Sequence, residues 1–172
     1  MIRLVFATGK FGEFGNKNGL PWGHCRVDML NFMETTKDSC LLMGAKTFTS
    51  LPTKLKNRVN VVLSTSNDTS RVVAKNGERP DMFMHGDVTQ ALNELQTLYD
   101  NICVIGGMTV LKEAIDMADQ VVHTVILNEE KLECDVELDE TVQEKITSDF
   151  YVLSNKLLGD EAITYTSVRK KK

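Results

Sequence analysis

No apolar run in this sequence approaches the ~20 residues that a membrane-spanning helix needs. No CxxC pair exists among its four cysteines, Cys25, Cys40, Cys103 and Cys134, which removes the spacing that zinc sites and dithiol redox motifs require. The opening stretch 1–8 contains Arg3, and no small-residue cleavage site follows, so it reads as a buried strand and not as a secretory leader. Free thiols in a reducing, cytoplasmic compartment are therefore expected, with no membrane partner. Basic charge is also short: 20 Lys+Arg stand against 24 Asp+Glu, a formal charge of -4. Without a dense basic face, nucleic acid is not expected as a partner. The one basic run, Arg169-Lys170-Lys171-Lys172, is expected to be a solvated tail. The three histidines, His24, His85 and His123, lack metal-ligand spacing, so no metal is expected. Internal repeats and low-complexity linkers are missing as well.

What remains is ordinary globular composition, 42% apolar and 26% charged over 172 residues, which suits a single domain spanning 1–172. Short apolar, β-branched runs recur at 1–8, 39–43, 59–64, 101–105, 120–127, 149–153 and 162–168. Helix-period stretches fall between them at 26–37, 88–99 and 108–117. In the second, Leu92, Leu95 and Leu98 form the expected buried stripe, with Asp87 and Gln90 as a capping box. Strands alternating with helices imply an α/β sheet with parallel crossovers. The two late runs, joined by Lys156-Leu157-Leu158-Gly159-Asp160, suggest an antiparallel edge hairpin.

Three segments carry chemistry. Residues 9–19 hold four glycines and two asparagines directly after the first strand, where α/β proteins place ligand-contacting loops. Their spacing does not match a dinucleotide fingerprint, and a flexible surface loop is the plain alternative. Gly44-Ala45-Lys46-Thr47 and Gly106-Gly107-Met108-Thr109 each end an apolar strand and open a helix. Such turns present backbone N–H groups to an anion, or simply turn the chain. Asp28 follows Leu20-Pro21-Trp22, the only tryptophan, on the 26–37 helix. Val27, Leu30, Phe32 and Met33 mark the expected buried side, with Asp28 at its margin. A carboxylate there loses water, its pKa rises, and it can bind a protonated heterocycle bidentately; equally, it serves as a first-turn acid on the helix dipole.

The ordered series Asn18-Gly19-Leu20-Pro21-Trp22, Asp28 with Phe32, Met43-Gly44-Ala45-Lys46-Thr47-Phe48, Leu55 to Arg58, Val61-Val62-Leu63-Ser64 and Val104-Ile105-Gly106-Gly107 resembles the dihydrofolate reductase family, its bacterial and bacteriophage members above all. The resemblance runs in register to about residue 127. It implies an eight-stranded, mostly parallel mixed sheet flanked by helices with a C-terminal antiparallel edge hairpin. It also implies NADPH as cofactor and reduction of 7,8-dihydrofolate to tetrahydrofolate, by hydride transfer to pterin C6 with N5 protonated. On this resemblance Asp28 holds the pterin, Thr124 supports that acid, and Trp22 holds a bridging water. Val5, Ala7, Met29, Phe32, Leu51, Leu55 and Ile105 wall the substrate pocket, and Arg58 takes the folate α-carboxylate. Ala7, Asn18, Leu20, Ala45, Lys46, Thr47, Leu63, Ser64, Thr65, Gly106, Gly107, Met108, Thr109 and Val110 match cofactor-side positions, with a cis Gly106–Gly107 peptide. Residues 9–24 match the loop that closes over the nicotinamide. Antifolate-type inhibitors are implied as ligands, and a monomer or homodimer as the assembly. The sequence departs from the family at Ala45, where an arginine for the 2′-phosphate is common. Two other readings stay open: a non-catalytic subunit on this fold, and a related pyrimidine reductase.

Overall fold

The computed structural model describes residues 1–171; Lys172, the end of the basic run, lies outside the described residues. In chain order the elements are β1 (Ile2–Gly9), β2 (Glu13–Gly15), α1 (Arg26–Thr35), β3 (Cys40–Gly44), α2 (Ala45–Ser50), β4 (Val59–Leu63), β5 (Met82–Met84), α3 (Val88–Gln96), β6 (Ile102–Gly106), α4 (Met108–Ala114) with a 3-10 turn at Ile115–Met117, β7 (Gln120–Ile126), β8 (Val136–Glu137), α5 (Glu140–Asp149), β9 (Phe150–Leu158) and β10 (Ala162–Arg169).

Eight strands form one sheet in the order β5-β4-β3-β6-β1-β7-β10-β9. Pairing is parallel from β5 through β7, and β10 runs antiparallel to both its neighbours, which makes the expected edge hairpin. β2 and β8 form a separate two-stranded ribbon. The central strands are apolar on both faces because helices cover both sides. Ile2, Leu4, Phe6, Leu42 and Val104 point to the face covered by α3 and α4. Val5, Leu41, Met43, Val62 and Cys103 point to the other, where Phe48 of α2 and Phe32 of α1 pack.

Local signals hold well where they are strong. The Asp87 carboxylate accepts from the Gln90 N–H and the Gln90 side chain reaches back, so the capping box forms. That helix buries Val88, Ala91, Leu92 and Leu95, but it ends at Gln96, and Leu98 is 63% exposed beyond it. The first two residues of the basic run, Arg169 and Lys170, are not a free tail. Arg169 closes β10, donates to the Ala118 and Ile115 carbonyls and stacks over Phe150, while Lys170 donates to the Ser148 carbonyl. Those carbonyls end the 3-10 turn and α5, where a cation is favoured. All four cysteines are free; Cys40 and Cys103 are buried, and burial pushes the Cys40 thiol up to about 12. Among the described residues no helix is long and apolar enough to cross a membrane.

Candidate active site

β6 lies between β1 and β3, so the chain reverses its direction of travel across the sheet there. The crevice outside the carboxyl ends of the strands at such a reversal is where open α/β sheets take ligands. Four segments converge on it: the end of β1, the β3–α2 turn, the β6–α4 turn and the start of α1.

α1 lies antiparallel to β1. Arg3, early in β1, donates to the Thr35 carbonyl at the end of α1, so the start of α1 stands level with Ala7 and its neighbour Thr124 on β7. Asp28 occupies that first turn. Loss of water on burial raises its pKa from 3.8 to about 6, and no cation lowers it again. One turn on, Asn31 faces inward and donates its amide to the hydroxyls of Thr124 and Thr164, each at 3.4 Å. Thr124 in turn donates to Thr164 at 3.0 Å. Thr124, expected beside the acid, is thus engaged with Thr164 and Asn31 in this state. Asn31 and Thr164 were not legible as site residues, because only the docking of α1 on β7 and β10 brings them together.

α1 differs from its expected pattern in one respect. Leu30 and Met29 are exposed, by 55% and 44%, and the inward positions are Asn31, Phe32, the flank of Asp28 and Val27, which packs against Ile126, Leu158 and Ala162 as its expected buried side requires. The helix therefore offers a polar and aromatic face to the crevice and leaves an aliphatic pair outside. Val5, Phe32, Leu51, Leu55 and Ile105 do share one apolar cluster, while Met29, expected in the same wall, lies outside it and is exposed. Arg58 is half-buried, held by bonds from its guanidinium to the Thr36 hydroxyl and the Lys56 and Met33 carbonyls. Asn60, wholly buried, fixes that loop by bonding the Leu55 N–H and the Leu55 and Arg58 carbonyls.

The two strand-to-helix turns lie side by side. A Cβ at Gly44 would meet Val110 Cγ2 at 3.5 Å and Gly107 N at 3.9 Å; one at Gly106 would meet Thr47 Oγ1 at 3.5 Å. Gly106 has φ +136°, open to glycine alone, and the Gly106–Gly107 peptide is cis as the resemblance implied. Ala45, Thr47, Met108 and Val110 are half-buried around these turns; Lys46 and Thr109 are exposed. Farther along the sheet edge, Leu63 and Ser64 are buried at the end of β4, with the Ser64 hydroxyl donating to the Ser66 carbonyl, and Thr65 is exposed. Asn18 and Leu20 stand exposed on the glycine loop. Trp22 packs against Ile126, Leu158 and Ala162, and its Nε1–H is buried without a protein partner. The glycine loop itself is partly ordered, by the β2–β8 ribbon and a bridge between Asn16 and Gly19. His123 stacks on Phe6 at 4.6 Å and bonds Thr8 at 2.8 Å on the opposite face of the sheet; burial lowers its pKa to about 4, so it stays neutral.

Residues 1–160 match the family model described as dihydrofolate reductase. The chain is similar to dihydrofolate reductase type A10 of Escherichia coli, 31% identical over 92% of this chain and 84% of that protein. It is also similar to the type 6 enzyme of Proteus mirabilis, 32% identical over 74% of each. Among solved structures it is similar to dihydrofolate reductase from Enterococcus faecalis complexed with NADP(H), with a TM-score of 0.82 and 24% identity over 99% of this chain and 97% of that one. With sheet order, crevice and a match over nearly its whole length in agreement, the chain belongs to the dihydrofolate reductase family.

Proposed function

We infer that this protein is a single-domain, cytoplasmic enzyme that reduces 7,8-dihydrofolate to tetrahydrofolate with NADPH. The observation that carries the reading is Asp28. It is the acid that the fold sets at the carboxyl edge of the central strands, deprived of water and one helical turn from Phe32 of the apolar cluster. Such a carboxylate gains most by accepting two parallel N–H bonds from a heterocycle, which restore what burial removed.

The residues present fit the cofactor. The paired glycine turns form a cradle that side chains would fill, with Thr47 and Val110 at its wall. When bound, NADPH supplies the hydride. Backbone N–H groups of the two turns, with Lys46, Thr47, Gly107 and Thr109, would hold its phosphates, and Ser64 and Thr65 would flank the 2′-phosphate. Ala45 leaves that phosphate without the arginine common in the family. Asn18 and Leu20, exposed on the 9–24 loop, would meet the nicotinamide end of the cofactor.

The protein's part in the chemistry is placement and charge. Val5, Phe32, Leu51, Leu55 and Ile105 hold the pterin and aminobenzoyl rings, and Arg58 takes the α-carboxylate of the glutamyl tail with its planar fork. Asp28 orients the pterin and raises the proton affinity of N5, with Trp22 Nε1 fixing a bridging water. The 9–24 loop excludes bulk water from that step. Dihydrofolate-dependent loss of NADPH absorbance in the purified protein tests this reading. A protein that oxidises NADPH with a ribosylamino-pyrimidinone and not with dihydrofolate would move it to the pyrimidine reductases, and one that does neither would mark a non-catalytic subunit.

A further inference from the structure

Among the described residues, the wholly buried charge that the chemistry does not use is Glu13. Its side chain is 0% exposed, yet it lies in the glycine-rich loop, where a glutamate would normally face water. Among the described residues no cation forms a salt bridge with it; Lys131, whose charge it feels, pairs with Glu137. The Glu13 carboxylate is instead ringed by N–H donors: Oε1 accepts from Phe11 N at 2.7 Å, and Oε2 accepts from Asn128 Nδ2 at 2.7 Å and from Leu132 N at 3.1 Å. Burial pushes its pKa up, but bonds from its own N–H, Leu132, Asn128 and Phe11 outweigh that and hold the carboxyl below the usual carboxylate range.

The bonds join two segments more than a hundred residues apart. Asn128 is held from its other side as well, since its Oδ1 accepts from Lys10 N at 2.8 Å. Farther along, Leu138 N donates to the Gly12 carbonyl at 2.8 Å. The root of the 9–24 loop is thus fastened to the 128–138 segment around one anion. Gly9 is shaped to that anion: a Cβ there would fall 2.6–2.8 Å from the Glu13 carboxyl atoms. Gly9 also ends β1, two residues after Ala7 in the crevice wall, so the carboxylate stands where the loop leaves the site.

We propose that Glu13 is a positioning residue for the reaction, whose buried carboxylate anchors the loop root to the 128–138 segment and so sets where Asn18, Leu20 and Trp22 stand over the nicotinamide end of the crevice. This rests on the functional reading above. The effect falls on the cofactor and on the hydride step, because the substrate side (Asp28, Phe32, Arg58) is carried by α1 and the loop before β4 and does not depend on the anchor.

Glu13→Gln is the direct test. The glutamine amide must turn a donor toward either Phe11 N or the Asn128–Leu132 pair, and Asn128 cannot flip to compensate without losing its bond from Lys10 N. Asn128→Ala removes one donor and leaves the charge, and serves as the second variant should Glu13→Gln not fold. Single-turnover hydride transfer, the two KM values and iodide quenching of Trp22, the sole tryptophan and itself on the loop, are measured well below the melting temperature. The expected result is a hydride step slower by roughly tenfold or more, a KM for NADPH raised by a similar factor, a KM for dihydrofolate within about twofold, and Trp22 more open to quencher. A merely structural role lowers the melting temperature without that split, and hydride rate, both KM values and quenching all within about twofold of wild type would overturn the proposal. If the wild-type protein shows no dihydrofolate-dependent oxidation, the functional reading fails by itself. Glu13 is then judged on quenching alone, where an unchanged Trp22 in both variants refutes the anchor.

Discussion

Replacing Asp28 by Asn moves stability and turnover in opposite directions. The fold favours the neutral acid, with a pKa of about 6 against the ordinary 3.8. Between those values the native protein binds more protons than the unfolded chain, so stability is full below about pH 4 and falls as pH rises through about pH 6. At about 1.4 kcal/mol per pH unit the penalty at neutral pH is about 3 kcal/mol, reduced to about 2 kcal/mol by the solvent contact that the half-buried carboxylate keeps. Asparagine carries no charge at any pH. The ligand-free variant is therefore expected to melt roughly 4–8 °C higher than wild type at about pH 8 and at nearly the same temperature at about pH 4. The hydride step should fall by roughly a hundredfold or more at neutral pH and by less in acid, where solvent protonates the substrate. Melting curves at both pH values and single-turnover traces across the range check this. A variant no more stable than wild type at about pH 8, or one with an unchanged hydride step, would refute the assignment of Asp28 as a desolvated, working acid.

Two further outcomes follow from other parts of the site. Asn60→Ala leaves the Leu55 N–H and two carbonyls unpaired in the interior, which should cost about 2–3 kcal/mol in a denaturant titration. It should also raise the KM for dihydrofolate, since the loop it fixes carries Arg58. Ala45→Arg supplies a guanidinium at the start of α2, and is expected to lower the KM for NADPH by roughly tenfold while leaving that for NADH unchanged; equal effects on both would place the 2′-phosphate elsewhere.

Strong periodic or chemical signals were legible in the sequence. The Asp87–Gln90 capping box, the seven apolar runs and the paired strand-to-helix turns all appear as strands, caps and turns where residue type alone placed them. The element missed outright, α5, buries only Val142, so it offers no apolar stripe, and only the Asp139 N-cap marks it. β2, β5 and β8 are two or three residues long, too short for an alternation to register. At the site, Phe32 one turn from Asp28 pointed to a desolvated acid, but a first-turn acid on the helix dipole stayed open, and Leu30, expected on the same buried side, is exposed. The Asn31–Thr124–Thr164 trio and the Glu13 anchor were not readable, because their partners lie 93 to 133 and 115 to 119 residues away. A glutamate between glycines looks like a surface residue until the 128–138 segment folds over it.

A desolvated Asp28 acts first on the protonation of a ring bound against it. An ultraviolet difference titration of the protein with a 2,4-diaminopyrimidine antifolate reads the protonation state of the ligand itself. The predicted result is a ring that binds protonated at neutral pH in wild type, and neutral and more weakly in Asp28→Asn. A ring that binds neutral to wild type, or equally tightly to both proteins, would contradict the central claim.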